Sequence, residues 1–355
     1  MTRRVRAAAA ALVIGWMAAV HAARLRGEAA SAGHAATAGT HVPAHSAPAR
    51  LADTGFGETA TRPFSPQYPL WSDGAAKARW VYLPEGAAID ASDPDDWKFP
   101  VGTKFWKQFT FNGRKVETRF LWHASATEWI FATYVWNEEG TDAVLAPDDG
   151  VAGAVELANG RRHDIPGRTD CRACHGEKRP GPLGFNALQL STDRDPNAIH
   201  GEPLAPEMIT AATLQEERRL SPSRPELVTD PPRIRTANPS TRAVLGYFAA
   251  NCGTCHNRSG EIAYAGPSLK HSDIGDGDAV ARALLGQATA WQVPGQPEGA
   301  SLMLNAASPD ASAMLARMRS RRPSSQMPPL GTVLRDEKAI EAVTNWIAAN
   351  PGRRD

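Results

Sequence analysis

Cysteine is scarce in this chain. Four occur in 355 residues, at Cys171, Cys174, Cys252 and Cys255, and all fall in two short motifs. None remains for a disulfide framework or a lipid anchor. An excess of charge of one sign is also missing. The 39 basic and 38 acidic side chains leave a formal net charge of +1. That balance gives no argument for nucleic acid or an anionic membrane as partner. Long apolar runs are absent beyond residue 23, so no stable membrane span is expected after signal removal.

Residues 1–23 read as a signal peptide. Arg3, Arg4 and Arg6 form a basic start, and Ala7 to Val20 is apolar but short of the ~20 residues a span needs. Val20-His21-Ala22 offers a tolerable cleavage site. The expected location is periplasmic or secreted; the rival reading is an uncleaved anchor. Residues 24–51 are Ala, Gly, His, Ser and Pro with almost no large apolar side chain, which predicts a disordered linker carrying solvated His34, His41 and His45.

Residues 52–166 have another texture. Seven of the ten tryptophans lie between Trp71 and Trp136. Thr103 to Phe111 alternates, with Phe105, Phe109 and Phe111 on one face. Asn112-Gly113 supplies residues that tolerate positive φ in a tight turn. Arg114 to Trp122 returns, Glu128 to Trp136 gives a third strand, and Ala154 to Ile165 reads as a hairpin around Asn159-Gly160. The pattern predicts an antiparallel, sandwich-like all-β domain with the aromatics in its core. From residue 167 the strand pattern stops. Pro206 to Leu220, Thr241 to His256 and Asp336 to Ala349 carry helical patterns. In the last of these, Ile340, Val343, Trp346 and Ile347 share one face.

Cys171-Arg172-Ala173-Cys174-His175 and Cys252-Gly253-Thr254-Cys255-His256 are both C-x-x-C-H, the attachment signature of c-type haem. Two thiols three residues apart on one turn reach the two vinyl groups of a porphyrin. The next residue places an imidazole at the iron. One accidental match is expected about once in a thousand such compositions, and two that use every cysteine far less often. A zinc ribbon wants cysteine pairs about 15–20 residues apart; here Cys174 and Cys252 are 252 − 174 = 78 positions apart. A thioredoxin-type site wants a βαβ context, and local disulfides need no histidine. The expected cofactors are two haem c, held covalently by Cys171, Cys174, Cys252 and Cys255. His175 and His256 are the expected proximal iron ligands.

The segment Gln326-Met327-Pro328-Pro329-Leu330-Gly331 precedes the last helix. Together with Thr241–His256 and Asp336–Ala349 it resembles a class I cytochrome c domain, and the resemblance makes Met327 the distal ligand of the second haem. For the first haem Met208 is the expected distal ligand, with His200, His163, His123 or an open position as alternatives. The chain from about Pro63 also resembles a family of bacterial diheme c-type cytochromes. The carrying residues are Pro69-Leu70-Trp71-Ser72-Asp73-Gly74, Phe99-Pro100-Val101-Gly102-Thr103, Glu117-Thr118-Arg119, Tyr134-Val135-Trp136-Asn137, Leu183-Gly184-Phe185 and Asn251 to Asn257. That resemblance implies a β domain fused to cytochrome modules, and it implies no substrate.

The expected fold class is therefore multidomain. An all-β sandwich-like domain (52–166) is followed by mostly α haem domains, a first haem segment (167–238) and a class I cytochrome c domain (239–355). The expected activity is electron transfer with redox partner proteins. Two alternatives stand beside it: a peroxidase-like diheme oxidoreductase with an open first iron, and a ligand-binding β domain with attached haems.

Overall fold

The alternating segments pair where their periodicity places them. In the computed structural model, which describes residues 45–157, 160–176, 181–259, 262–263 and 266–350, the longest strands are β4 (Lys104–Phe111), β5 (Arg114–Ser125) and β6 (Glu128–Trp136). The segments expected to be a signal peptide and a linker lie, up to residue 44, outside the described residues. Asn112 (φ 49°) and Gly113 (φ 78°) turn β4 into β5, the left-handed pair that a two-residue hairpin requires. With β1 (Arg62–Pro63), β2 (Ala76–Tyr82) and β7 (Ala143–Leu145) these strands build one antiparallel sheet in the order β1-β2-β4-β5-β6-β7. Two small pairs complete the strands: β3 (Ile89–Asp90) with β10 (Leu220–Ser221), and the hairpin β8 (Val151–Glu156) with β9 (Arg162–Ile165).

Both faces of the six-stranded sheet are covered. On one, Trp106, Phe120 and Tyr134 pack with Leu51, Phe56, Trp80 and Trp136. On the other, Val81, Phe105, Leu121 and Phe131 pack with Phe185, Ile209 and Leu214. None of the seven tryptophans from Trp71 to Trp136 is in the exposed class, so these rings serve packing. A groove for a ligand would need them open to solvent.

The eight helices among the described residues are short: α1 (Arg168–Cys174), α2 (Ala211–Glu216), α3 (Glu226–Thr229), α4 (Pro239–Asn251), α5 (His271–Ile274), α6 (Gly277–Leu284), α7 (Ala313–Arg319) and α8 (Glu337–Ala349). The long ones, α4 and α8, begin at side-chain caps. Asn238 accepts from Ser240 N and Thr241 N, and Asp336 accepts from Ala339 N, as N-cap residues do. They pack on each other through Val244, Phe248, Ile340, Val343 and Ile347. Trp346 Nε1 donates to Thr241 Oγ1 at 2.9 Å, and the Tyr247 hydroxyl donates to Asp336 at 2.9 Å.

The structure overturns the expected fold class. Helix accounts for 24% and strand for 22%, so the chain beyond the sheet is mostly loop with short helices and is not a set of mostly α haem domains. No second large sheet closes a sandwich among the described residues either. The second face is covered by chain from residues 185–227. Nor do the segments separate along the chain, because residues from His45 onward cluster as one unit. Tyr68 shows why. Its ring lies under α4, where a Cβ on Gly246 would come within 2.2 Å of it. Trp71 N donates to Asn251 Oδ1 at 2.8 Å. Residues 45–51, expected in the linker, are pinned to the sheet edge. Leu145 N donates to Ala49 O at 2.9 Å, and Leu51 is 2% exposed. One buried leucine and edge pairing outweigh a composition that looks disordered.

Candidate functional site

One cleft is lined by Gly253 and Thr254 of the second C-x-x-C-H motif and by Gly181–Phe185, the loop that follows the first. The first forms α1. Asp148 accepts from Arg168 N through its backbone carbonyl, and Asp170 accepts from Gly167 N at 3.1 Å, so the helix starts firmly. Cys171 and Cys174 are then one turn apart and share a face. His175 N donates to Cys171 O at 2.9 Å. Cys171 packs against the sheet-side core.

His175 carries the most informative geometry. Its Nδ1 donates to Gly181 O at 2.8 Å, and its ring lies 5.5 Å from Phe131. That bond places the proton on Nδ1 and leaves the Nε2 lone pair free, the tautomer that a metal ligand needs. Burial pulls its pKa down to about 4, so the ring is neutral at pH 7. The carbonyl is held by the loop after it. Phe185 is 2% exposed, with Phe64 at 4.8 Å and Phe105 at 5.2 Å between ring centres. The Leu183-Gly184-Phe185 segment thus acts as the anchor of the histidine's hydrogen-bond partner.

The second motif caps α4. Cys252 N and Gly253 N both donate to Phe248 O, and His256 N donates to Cys252 O at 2.8 Å. Only glycine fits at 253, since a Cβ there would lie 2.6 Å from Ala249 O and 2.7 Å from Leu269 O. Leu269 N closes the loop onto His256 O at 2.8 Å. Burial, then the charge of Arg317, lowers the His256 pKa.

Burial first, and then the Cys255 thiolate, raises the Cys174 pKa. The cleft of about 100 Å³ is lined from one side by Gly181–Phe185 and from the other by Ala249, Ala250, Gly253 and Thr254.

Met327 lies in the second motif's neighbourhood. Its N–H donates to Arg317 O at 3.0 Å, and Arg317 Nε reaches Ser325 O at 3.2 Å, so the residue whose charge is felt at His256 also carries the methionine loop. Met208 precedes α2, which starts only at Ala211. The next residue, Ile209, donates to Pro63 O in β1 at 2.9 Å.

The alternative histidines have other partners. His200 Nε2 contacts Asp336 at 2.8 Å and its ring stacks on Trp71. His123 stacks on Trp129 at 4.7 Å with its Nδ1 buried and unpaired. His163 bridges Asp73 at 3.1 Å and Glu117 at 3.2 Å. Burial alone would lower its pKa, but the two carboxylates outweigh this and raise it to about 9. A histidine raised above its ordinary 6.5 stabilises the fold fully below pH 6.5 and loses that contribution as pH climbs through about 9. Urea unfolding between pH 6.5 and 9 is expected to show stability falling with pH, and His163→Gln is expected to remove most of that slope. A flat wild-type profile contradicts the assignment.

A row of charges on the same sheet face was not singled out by sequence patterning. Arg79 lies directly opposite Lys107, and Lys107 directly opposite Arg119. The signal was present: Phe105-x-Lys107-x-Phe109 puts a cation at an inward position of a strand.

No protein-family model, curated protein or solved structure matches this chain. Among the described residues no cluster of three or more His, Cys, Asp or Glu side chains could hold a bare metal ion. A c-type haem asks for less, because the porphyrin supplies four nitrogens and the protein one or two axial ligands plus two thiols. Both turns supply that set.

Proposed function

We propose that the protein is an exported diheme c-type cytochrome that passes electrons to and from partner proteins in the periplasm. The observation that carries this reading is the His175 Nδ1–Gly181 O hydrogen bond beside a C-x-x-C turn, which leaves Nε2 free to bind a metal. When bound, the haems would supply one-electron redox chemistry. Cys171, Cys174, Cys252 and Cys255 would hold the porphyrins, and His175 and His256 would each offer a ring nitrogen to an iron. Met327 would offer its thioether on the far side of the second. No helix among the described residues is long and apolar enough to cross a membrane.

Met327→Ala is the direct test of the methionine. It is expected to abolish the near-infrared sulfur-to-iron charge-transfer band and to lower one of two midpoint potentials, since methionine ligation raises the potential. If band and potential survive, Met327 is not the ligand.

One observation favours a second reading. Ile209, next to Met208, is tied to Pro63 O, and a first iron that took no ligand from Met208 would have an open position. An open sixth position would make the protein a diheme oxidoreductase of peroxidase type. The EPR spectrum of the oxidised protein separates the two: two low-spin signals support the carrier, one low-spin and one high-spin signal the oxidoreductase.

A further inference from the structure

The cation row of the sheet is out of balance. Arg79 in β2, Lys107 in β4 and Arg119 in β5 are consecutive cross-strand partners, and like charges directly opposite one another destabilise a sheet. The outer two are neutralised. Arg79 donates to both oxygens of Glu202, at 2.6 and 3.2 Å, and Arg119 to both oxygens of Glu117, at 3.2 and 2.7 Å. Lys107, in the middle, has no acceptor within hydrogen-bonding distance among the described residues. Its one direct contact is the Phe109 ring, 5.1 Å from Nζ. Lys77, two residues from Arg79 on the same face, adds a further cation, and its ammonium is used by Leu70 O at 2.9 Å.

Burial first, and then the charges of Arg79, Lys77 and Arg119, hold the Lys107 pKa well below the usual lysine range, and an anion beside the amine would restore its charge. The place where that anion would sit is open. Lys107 and Arg79 both line the cleft bordered by Gly181–Phe185 and by Gly253 and Thr254. The charges of Lys107 and Arg119 reach His175, and Arg119 and Lys107 also act on Cys174.

We infer that Lys107, flanked by Arg79 and Arg119, is a binding site for a carboxylate-class anion in the cleft beside the first C-x-x-C-H turn. The inference rests on the cytochrome reading for its role, not for its geometry. Two sources share this chemistry: a propionate of an attached porphyrin, or a small free anion that enters the cleft. In either case Lys107 is a positioning residue that sets the charge felt at the first iron.

The test uses the exported, matured protein as wild type, Lys107→Gln and Lys107→Arg, with acetate as the free-anion probe. Haem content per chain is measured first. With two haems attached, both midpoint potentials are titrated with and without acetate. A propionate source predicts that Lys107→Gln lowers one potential, by about tenfold in the reduction equilibrium or about 59 mV for a one-electron couple. Lys107→Arg retains the wild-type value and acetate changes nothing. A free-anion source predicts a saturable acetate response in wild type that Lys107→Gln loses. Identical potentials in wild type and Lys107→Gln, with no acetate response in either, overturn the inference. If no haem is attached, the cytochrome reading fails by itself. The anion site is then judged on the haem-free chain, where acetate must raise the thermal midpoint of wild type more than that of Lys107→Gln; equal shifts overturn it.

Discussion

Replacing Cys171 and Cys174 together by serine is expected to halve the haem carried per chain while leaving the fold in place. The two thioethers of the first porphyrin have no other anchor, because every other cysteine belongs to the second turn. The substitution is mild for the protein, since Cys171 is half-buried and Cys174 exposed, and serine keeps the size of the side chain. The measurement is the pyridine haemochrome absorbance per chain, with the spectrum of the remaining haem. The remaining haem should keep the methionine charge-transfer band, because Met327 and His256 belong to the other motif. The reverse pair, Cys252→Ser with Cys255→Ser, should halve the content and lose that band. Unchanged haem content in either pair contradicts the motif assignment.

Phe185→Ala is expected to have the largest effect on stability. The side chain is 2% exposed and sits among Phe64, Phe99, Phe105 and Trp97, with ring centres 4.8–6.0 Å away. Losing a buried phenyl ring from such a setting costs about 3–5 kcal/mol. It should also act on the site. Phe185 fixes the loop whose Gly181 carbonyl accepts from His175 Nδ1, so the first haem's spectrum is expected to broaden or shift while the second stays unchanged. Urea unfolding gives the first number and the optical spectrum the second. A loss below about 1 kcal/mol would mean that the cluster does not hold the loop.

These expectations differ in how far the sequence alone could have led to them. The C-x-x-C-H turns were legible because their chemistry is local: two thiols and an imidazole need only one turn of chain. Strands β4, β5 and β6 were legible from alternation, and α8 from the spacing of Ile340, Val343, Trp346 and Ile347. What covers a sheet is not local. The alternating residues announce two faces, and the Phe185 loop that packs on one of them carries no periodicity, so a sandwich was expected where loops do the covering. The same limit applies to domain order. Tyr68 lies in a stretch of ordinary loop composition, yet its ring takes the space that a side chain at Gly246 would occupy. That contact ties the chain between β1 and β2 to helix α4, which leads into the second C-x-x-C-H turn. The row of Arg79, Lys107 and Arg119 needed register as well as alternation, because each residue alone reads as an unremarkable strand cation.

The two sites also share a buried polar connection. Asp73 accepts from Val333 N and Leu334 N at 2.8 Å, just beyond the Met327 loop, and from His163, which in turn contacts Glu117 beside Arg119. Pro69–Gly74, a segment with no chemistry of its own in the sequence, therefore positions the methionine loop relative to the sheet face that carries the first motif.

The central claim is that each C-x-x-C-H turn holds a covalently attached haem. The most direct test is the intact mass of the exported, denatured chain together with titration of its free thiols. The account predicts a mass increased by two haems and no free thiol. A chain of unmodified mass with four titratable thiols would contradict it.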